Sequence, residues 1–181
     1  MNKNYLNSTV IAIGLVLLAA LSRIALYPNN FSPIIAIALF SGAVMYNKKW
    51  AFLLPLGAML LSDILFEVFN IDSGFWGYGQ LVNYGLLAGI TALGFAIKRI
   101  NILNVAGFTI LSSLLFFFVS NAMVWATISG MYAPGLSGLR DSLVAGIPFL
   151  KNSLMADLVY STVLFGGYVL LVKTVSKKAL Q

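Results

Sequence analysis

The sequence predicts an all-α integral membrane bundle of six transmembrane helices with both termini in the cytoplasm, and three observations carry that expectation. The 181 residues are 60% hydrophobic and only 9% charged, with a mean hydropathy of +0.95, beyond what a water-soluble domain shows. Apolar runs approaching the ~20 residues that cross a ~30 Å hydrocarbon layer follow one another with short breaks. Basic residues gather at alternate breaks. No stretch is long or polar enough for a separate soluble domain, so residues 1–181 are expected to form a single transmembrane domain.

Taken in order, the runs place spans at residues 8–27, 32–46, 50–69, 80–97, 102–128 and 148–173. The first follows Lys3 as a secretory signal would, but it carries Arg23 and leads into more apolar sequence, so it reads as an uncleaved span. The second is short. Pro33 opens it, where a missing N–H costs little, and Pro28, Asn29 and Asn30 form the turn before it. The third ends in LSDILFEVFNIDSGFWGY, with Asp63 and Glu67 one turn apart ahead of a glycine-rich aromatic loop. On the fourth, Gln80, Asn83, Tyr84 and Leu87 share a face, and Gly85, Ala88, Gly89, Ala92 and Ala96 permit close helix packing. Phe117, Asn121 and Trp125 are spaced by four on the fifth, and Ser153, Asp157, Tyr160 and Ser161 form a stripe on the sixth.

Lys3, Lys48, Lys49, Lys98, Arg99, Lys173, Lys177 and Lys178 fall at the N-terminus, the second and fourth loops and the C-terminus, and no acid falls among them. The positive-inside bias makes that side cytoplasmic, so loops one, three and five face outward from the cell's inner membrane. The formal charge of +6 therefore reads as topology, with the lipid bilayer as the surrounding partner and no nucleic acid. Cysteine and histidine are absent. That removes thiolate nucleophiles, imidazole bases and the usual ligands of zinc, haem and iron–sulfur clusters, so no metal and no cofactor is expected. With no GxSxG and no Walker A pattern, the chain does not read as an enzyme and would not hydrolyse ATP itself.

All five acids, with Arg23, Arg140 and Lys151, lie toward the side opposite the basic loops. A charge within hydrocarbon costs about 2.5–3.5 kcal/mol on insertion scales unless it pairs or meets a wet cavity, so Arg23, Asp63 and Asp157 are expected to face inward together. Asp63, Asn83, Tyr84, Asn121, Trp125 and Asp157 then make a substrate-binding layer in the outer half of the bundle. The inner halves read as aliphatic, alanine or glycine, which suits a pocket open to the outside. Loop three, with Trp76 among its aromatics, and loop five, from Ser129 to Ile147, read as lids over it, an interfacial aromatic belt being the plainer alternative for Trp76. Asp63 and Asp157 have a plainer alternative too: ion pairs with Arg23 or Lys151 that only fix helix packing.

The whole pattern, with the local sequences YPNNFSPIIAIALFSGA, LLPLGAMLLSD and FLKNSLMADLVYSTVLFG, resembles the S-components of energy-coupling factor (ECF) transporters. The resemblance implies an ECF S-component-like fold and a substrate-capturing subunit for a vitamin or related small organic molecule. Its partners would be an ECF transmembrane subunit and two ATPases. It also implies that Asn152 joins the pocket, and that Ser8, Ala12 and Ala19 on the first span form the partner-docking face. Val16 departs from the usual AxxxA pattern there. A solitary cobalamin-transporting subfamily uses a cysteine as cobalt ligand, which this sequence lacks. Two other classes remain open: a membrane scaffold of an envelope-assembly complex, and a stand-alone secondary transporter.

Overall fold

Six helices account for most of the described residues. The computed structural model describes residues 3–23, 30–71, 73–75, 77–127 and 130–178, with side chains from residue 8 to residue 175 within those ranges. The helices are α1 (Lys3–Ser22), α2 (Ile34–Val44), α3 (Lys48–Phe69), α4 (Tyr78–Gly94), α5 (Ile102–Thr127) and α6 (Leu136–Lys178), and no strand occurs among the described residues. Three of them, α3, α5 and α6, are long and apolar enough to cross a membrane, while Ser8–Ser22 and α2 are shorter apolar helices. Large apolar side chains are exposed all around the bundle, among them Leu18, Leu81, Leu103 and Leu170. Such a surface suits lipid rather than water.

Helix ends follow local chemistry. Asn47 caps α3 by accepting the Lys49 N–H at 2.9 Å, and Asn70 closes the same helix in the left-handed region at φ 49°. The Ile71 N–H then reaches back to the Phe66 carbonyl at 3.0 Å, satisfying an end carbonyl. Asn101 caps α5 through the Asn104 N–H at 2.9 Å.

The short α2 occupies the centre. Residues from Ile34 to Gly42 are all buried, and α2 meets each of the other five helices. Its 11 residues rise only about 16 Å, roughly half a hydrocarbon layer, so its ends lie inside the bundle. Phe40 anchors it, edge-on to Phe165 and Tyr168 of α6 with ring centroids 5.2 and 5.7 Å away. Between helices in lipid the hydrophobic term is weak, and close contact takes over. On α4 the contact is made by Gly94, whereas Gly85 and Gly89 have open space around their Cα positions and face outward.

Two expectations need correction. Loop five is shorter than predicted, because the segment after Gly135 is the first part of a 43-residue α6. Its glycines and Pro134 suggest a break, yet Gly138 serves packing: a Cβ there would stand 1.8 Å from the Ala133 carbonyl oxygen. Pro148, predicted to open the sixth span, lies inside the helix, where it removes one backbone hydrogen bond. The first-span docking face is the second correction. Ala12 and Ala19, with Val16 between them, are buried in the chain's own core, and Ser8 is half-buried. That face packs the bundle itself.

Candidate functional site

Arg23, just past the end of α1, reaches α3. Its Nη1 lies 2.8 Å from Asp63 Oδ1, and it also donates to the Ser62 hydroxyl and, at 3.4 Å, to the Met59 carbonyl. The guanidinium carbon stands 4.9 Å from the centre of the Phe66 ring. Asp63 is 2% exposed, and its other oxygen accepts from Gln80 Nε2 at 2.8 Å and the Tyr84 hydroxyl at 3.0 Å. Three donors, one from the end of α1 and two from α4, therefore close around Asp63. A buried carboxylate satisfied in this way holds helices together and has little capacity left for a ligand.

The same cluster holds loop three. Gln80 Nε2 also donates to the Gly74 carbonyl at 3.0 Å, and the Gly74 N–H donates to Glu67 at 3.1 Å. Gly74 packs so tightly that a Cβ would stand 2.0 Å from the Asp63 carbonyl oxygen. Only glycine fits that approach. The loop lies against α3, and none of its described residues lines the cavity below, which corrects the expectation that it forms a lid. Phe75 is half exposed, and Trp76 lies outside the described residues.

Beside this cluster is a cavity of about 270 Å³, near the lower end of the ~300–1,000 Å³ usual for small-molecule sites. Every helix contributes to its wall or borders it through Arg23. The polar lining includes Arg23, Asn83 of α4, Ser113, Ser120 and Asn121 of α5, and Ser153 of α6. The apolar lining includes Phe116, Phe117 and Phe149. Gly146 makes room, since a Cβ there would stand 2.5 Å from Asn121 Oδ1. Residues 146–150, which include part of the predicted fifth loop, form a helical wall rather than a flexible cover.

Asp157 lies behind the cavity wall. It is 1% exposed, and its Oδ2 accepts from Ser113 at 2.7 Å and from Ser153 at 3.3 Å, both of which line the cavity. Its Oδ1 is buried without a hydrogen-bond partner. Among the described residues the ion pairs are Arg23–Asp63 and Arg140–Asp141, so Asp157 belongs to neither. Asp157 sits at the middle of α6 and not early in it as predicted, a consequence of the longer helix. Polar pairing also continues beyond it toward the basic end, where Thr109 donates to Ser161 at 2.9 Å and both are buried. The inner halves are less uniformly aliphatic than expected.

Of the predicted substrate-binding residues, the structure places Asn83 and Asn121 on the cavity wall and Asp157 directly behind it. Asp63 and Tyr84 belong to the adjoining closed cluster. Trp125 donates its indole N–H to the Ala133 carbonyl at 3.1 Å and so fastens the loop before α6. Neither Trp125 nor the half-buried Asn152 lines the cavity. Ser113, Phe116 and Phe149 were not predicted. Ser113 had a signal: it lies one turn before Phe117 on the stripe that continues to Asn121. Among the described residues no group of three or more acids, histidines or cysteines converges as a metal site would require.

Residues 3–179 match the family of unknown function DUF6580. The chain belongs to that family. The match spans all six helices, so the cavity and the Arg23–Asp63 cluster both fall within the DUF6580 region. No curated protein and no solved structure matches this DUF6580 chain.

Proposed function

We propose that this chain captures a small organic molecule in the cavity between its helices, as the substrate-binding membrane subunit of an ECF-type transporter. The observation that carries the reading is a cavity of about 270 Å³, walled by amides, hydroxyls and aromatic rings from several helices. Polar lining within a membrane bundle is costly to maintain without a ligand or water to satisfy it. In this reading all six helices belong to the membrane domain, both termini are cytoplasmic, and the cavity lies nearer the outer face. Transport energy would come from partner ATPases. The test is mass spectrometry of small molecules that copurify with the protein, compared with an Asn121→Leu variant that narrows the cavity and removes an amide from its wall. A species enriched in the native chain and lost in the variant is expected; identical profiles would overturn the reading.

A scaffold reading draws on a different observation. Asp63, the acid first expected to hold a ligand, is fully engaged by Arg23, Gln80 and Tyr84. If the native and Asn121→Leu chains gave identical profiles but recovered the same envelope proteins, the bundle would be a scaffold.

A further inference from the structure

We propose that the cavity takes a small organic cation, an ammonium group carried on an apolar or aromatic body, with Asp157 as its counter-charge acting through Ser113 and Ser153. This rests on the reading of the cavity as a binding site and names the class of molecule bound.

The argument starts from charge. Asp157 is buried at mid-helix, and no basic side chain pairs with it among the described residues. An uncompensated carboxylate at such depth is expensive, and intramembrane acids of this kind pair with a cation or face the path of one. Both serines that donate to it are among the residues lining the cavity. A serine has a single proton. The Ser113 proton has two acceptors within reach, Asp157 Oδ2 at 2.7 Å and the Thr109 carbonyl at 3.0 Å, and the Ser153 proton has Asp157; with both protons held by these acceptors, the serine oxygens can only accept from whatever occupies the cavity. Ser113 and Ser153 thus present acceptors backed by a negative charge, which selects a donor of positive charge.

The apolar lining agrees with that selection. Phe116 and Phe117 stand three and four residues after Ser113 on α5, and Phe149 stands four before Ser153 on α6, so each is about one turn from a serine. Aromatic rings around an acceptor pole suit an organic ammonium, whose charge meets ring faces while its body fills apolar space. Arg23, which also lines the cavity, does not oppose this, because Asp63 at 2.8 Å neutralises it.

The test uses the full chain in lipid nanodiscs, with empty nanodiscs as control and three probes of similar shape: phenethylammonium, neutral 2-phenylethanol and anionic 3-phenylpropanoate. Binding is read by isothermal titration calorimetry. The ammonium is expected to bind at least about tenfold more tightly than the alcohol or the acid, the margin that one desolvated charge contact supplies. Asp157→Asn should weaken the ammonium by about thirtyfold and leave the alcohol within about twofold. Should that variant fail to fold, the Ser113→Ala/Ser153→Ala double variant removes the two acceptors and should abolish the preference. Equal binding of all three probes would overturn the assignment of charge while leaving the cavity a binding site. No binding of the ammonium would overturn the proposal outright, and the copurification experiment then decides separately whether the cavity holds anything.

Discussion

Gly42 and Gly94 bring α2 and α4 into backbone contact: a Cβ on Gly42 would stand 2.0 Å from the Thr91 carbonyl oxygen and 3.0 Å from the Gly94 Cα. The obstacle is backbone on both sides, so no side-chain rotation relieves it. Gly42→Ala is expected to destabilise the fold by about 3 kcal/mol or more, at the upper end of overpacking costs. Gly89→Ala, with open space around it, should change stability by no more than about 1 kcal/mol and in the stabilising direction, as helix propensity dictates. Thermal unfolding in one detergent compares the two. Equal losses would show that the close approach of α2 and α4 does not set stability.

Arg23 and Asp63 should behave as a coupled unit. Removing the cation in Arg23→Met leaves Asp63 with only the Gln80 and Tyr84 donors, a loss expected to cost about 3 kcal/mol. Arg23→Met combined with Asp63→Asn removes the stranded charge and keeps an acceptor for both donors. The double variant is therefore expected to be more stable than Arg23→Met alone. A double-mutant cycle measured by unfolding in detergent checks this, and additive losses would mean that the pair carries no coupling.

Sidedness can be read cleanly because the chain contains no cysteine of its own. Lys98→Cys lies in the exposed break between α4 and α5, and Met131→Cys in the exposed loop before α6, at opposite ends of α5. A membrane-impermeant maleimide should label Met131→Cys in intact cells and Lys98→Cys only after lysis. The reverse pattern would invert the proposed orientation.

Much of this molecule was legible in its sequence, for identifiable reasons. Apolar runs located all six helices because run length and polarity are local properties, and Asn83 and Asn121 could be placed on inward faces by helical spacing alone. The misreadings share a cause. Pro134 and the glycines near it, Gly138 among them, suggest a helix break, but residue type alone does not say whether a glycine ends a helix or, as Gly138 does beside the Ala133 carbonyl, lets backbone pass within the first turn of one. Ala12 and Ala19 could be recognised as a packing face, yet a stripe of small residues does not say whether the neighbour is another protein or another helix of the same chain. Nothing in the spacing of Asp63 and Asp157 distinguished an acid with a full set of donors from one with an unpartnered oxygen.

That distinction gives the sharpest expectation. Asp63 and Asp157 are equally buried, at 2% and 1% exposure, yet one has a guanidinium at 2.8 Å and the other only two serines. Asp63→Asn strands Arg23 and should destabilise the ligand-free chain by about 3 kcal/mol. Asp157→Asn strands no charge, retains an acceptor for Ser113 and Ser153, and removes a charge that no side chain balances. It should stabilise the ligand-free chain by about 1–3 kcal/mol, less than the full cost of an uncompensated buried charge because the serines already offset part of it. Opposite signs for two identical substitutions, measured by unfolding in the same detergent, are what a functional acid beside a structural one requires. A loss of stability in Asp157→Asn comparable to that in Asp63→Asn would make both acids structural.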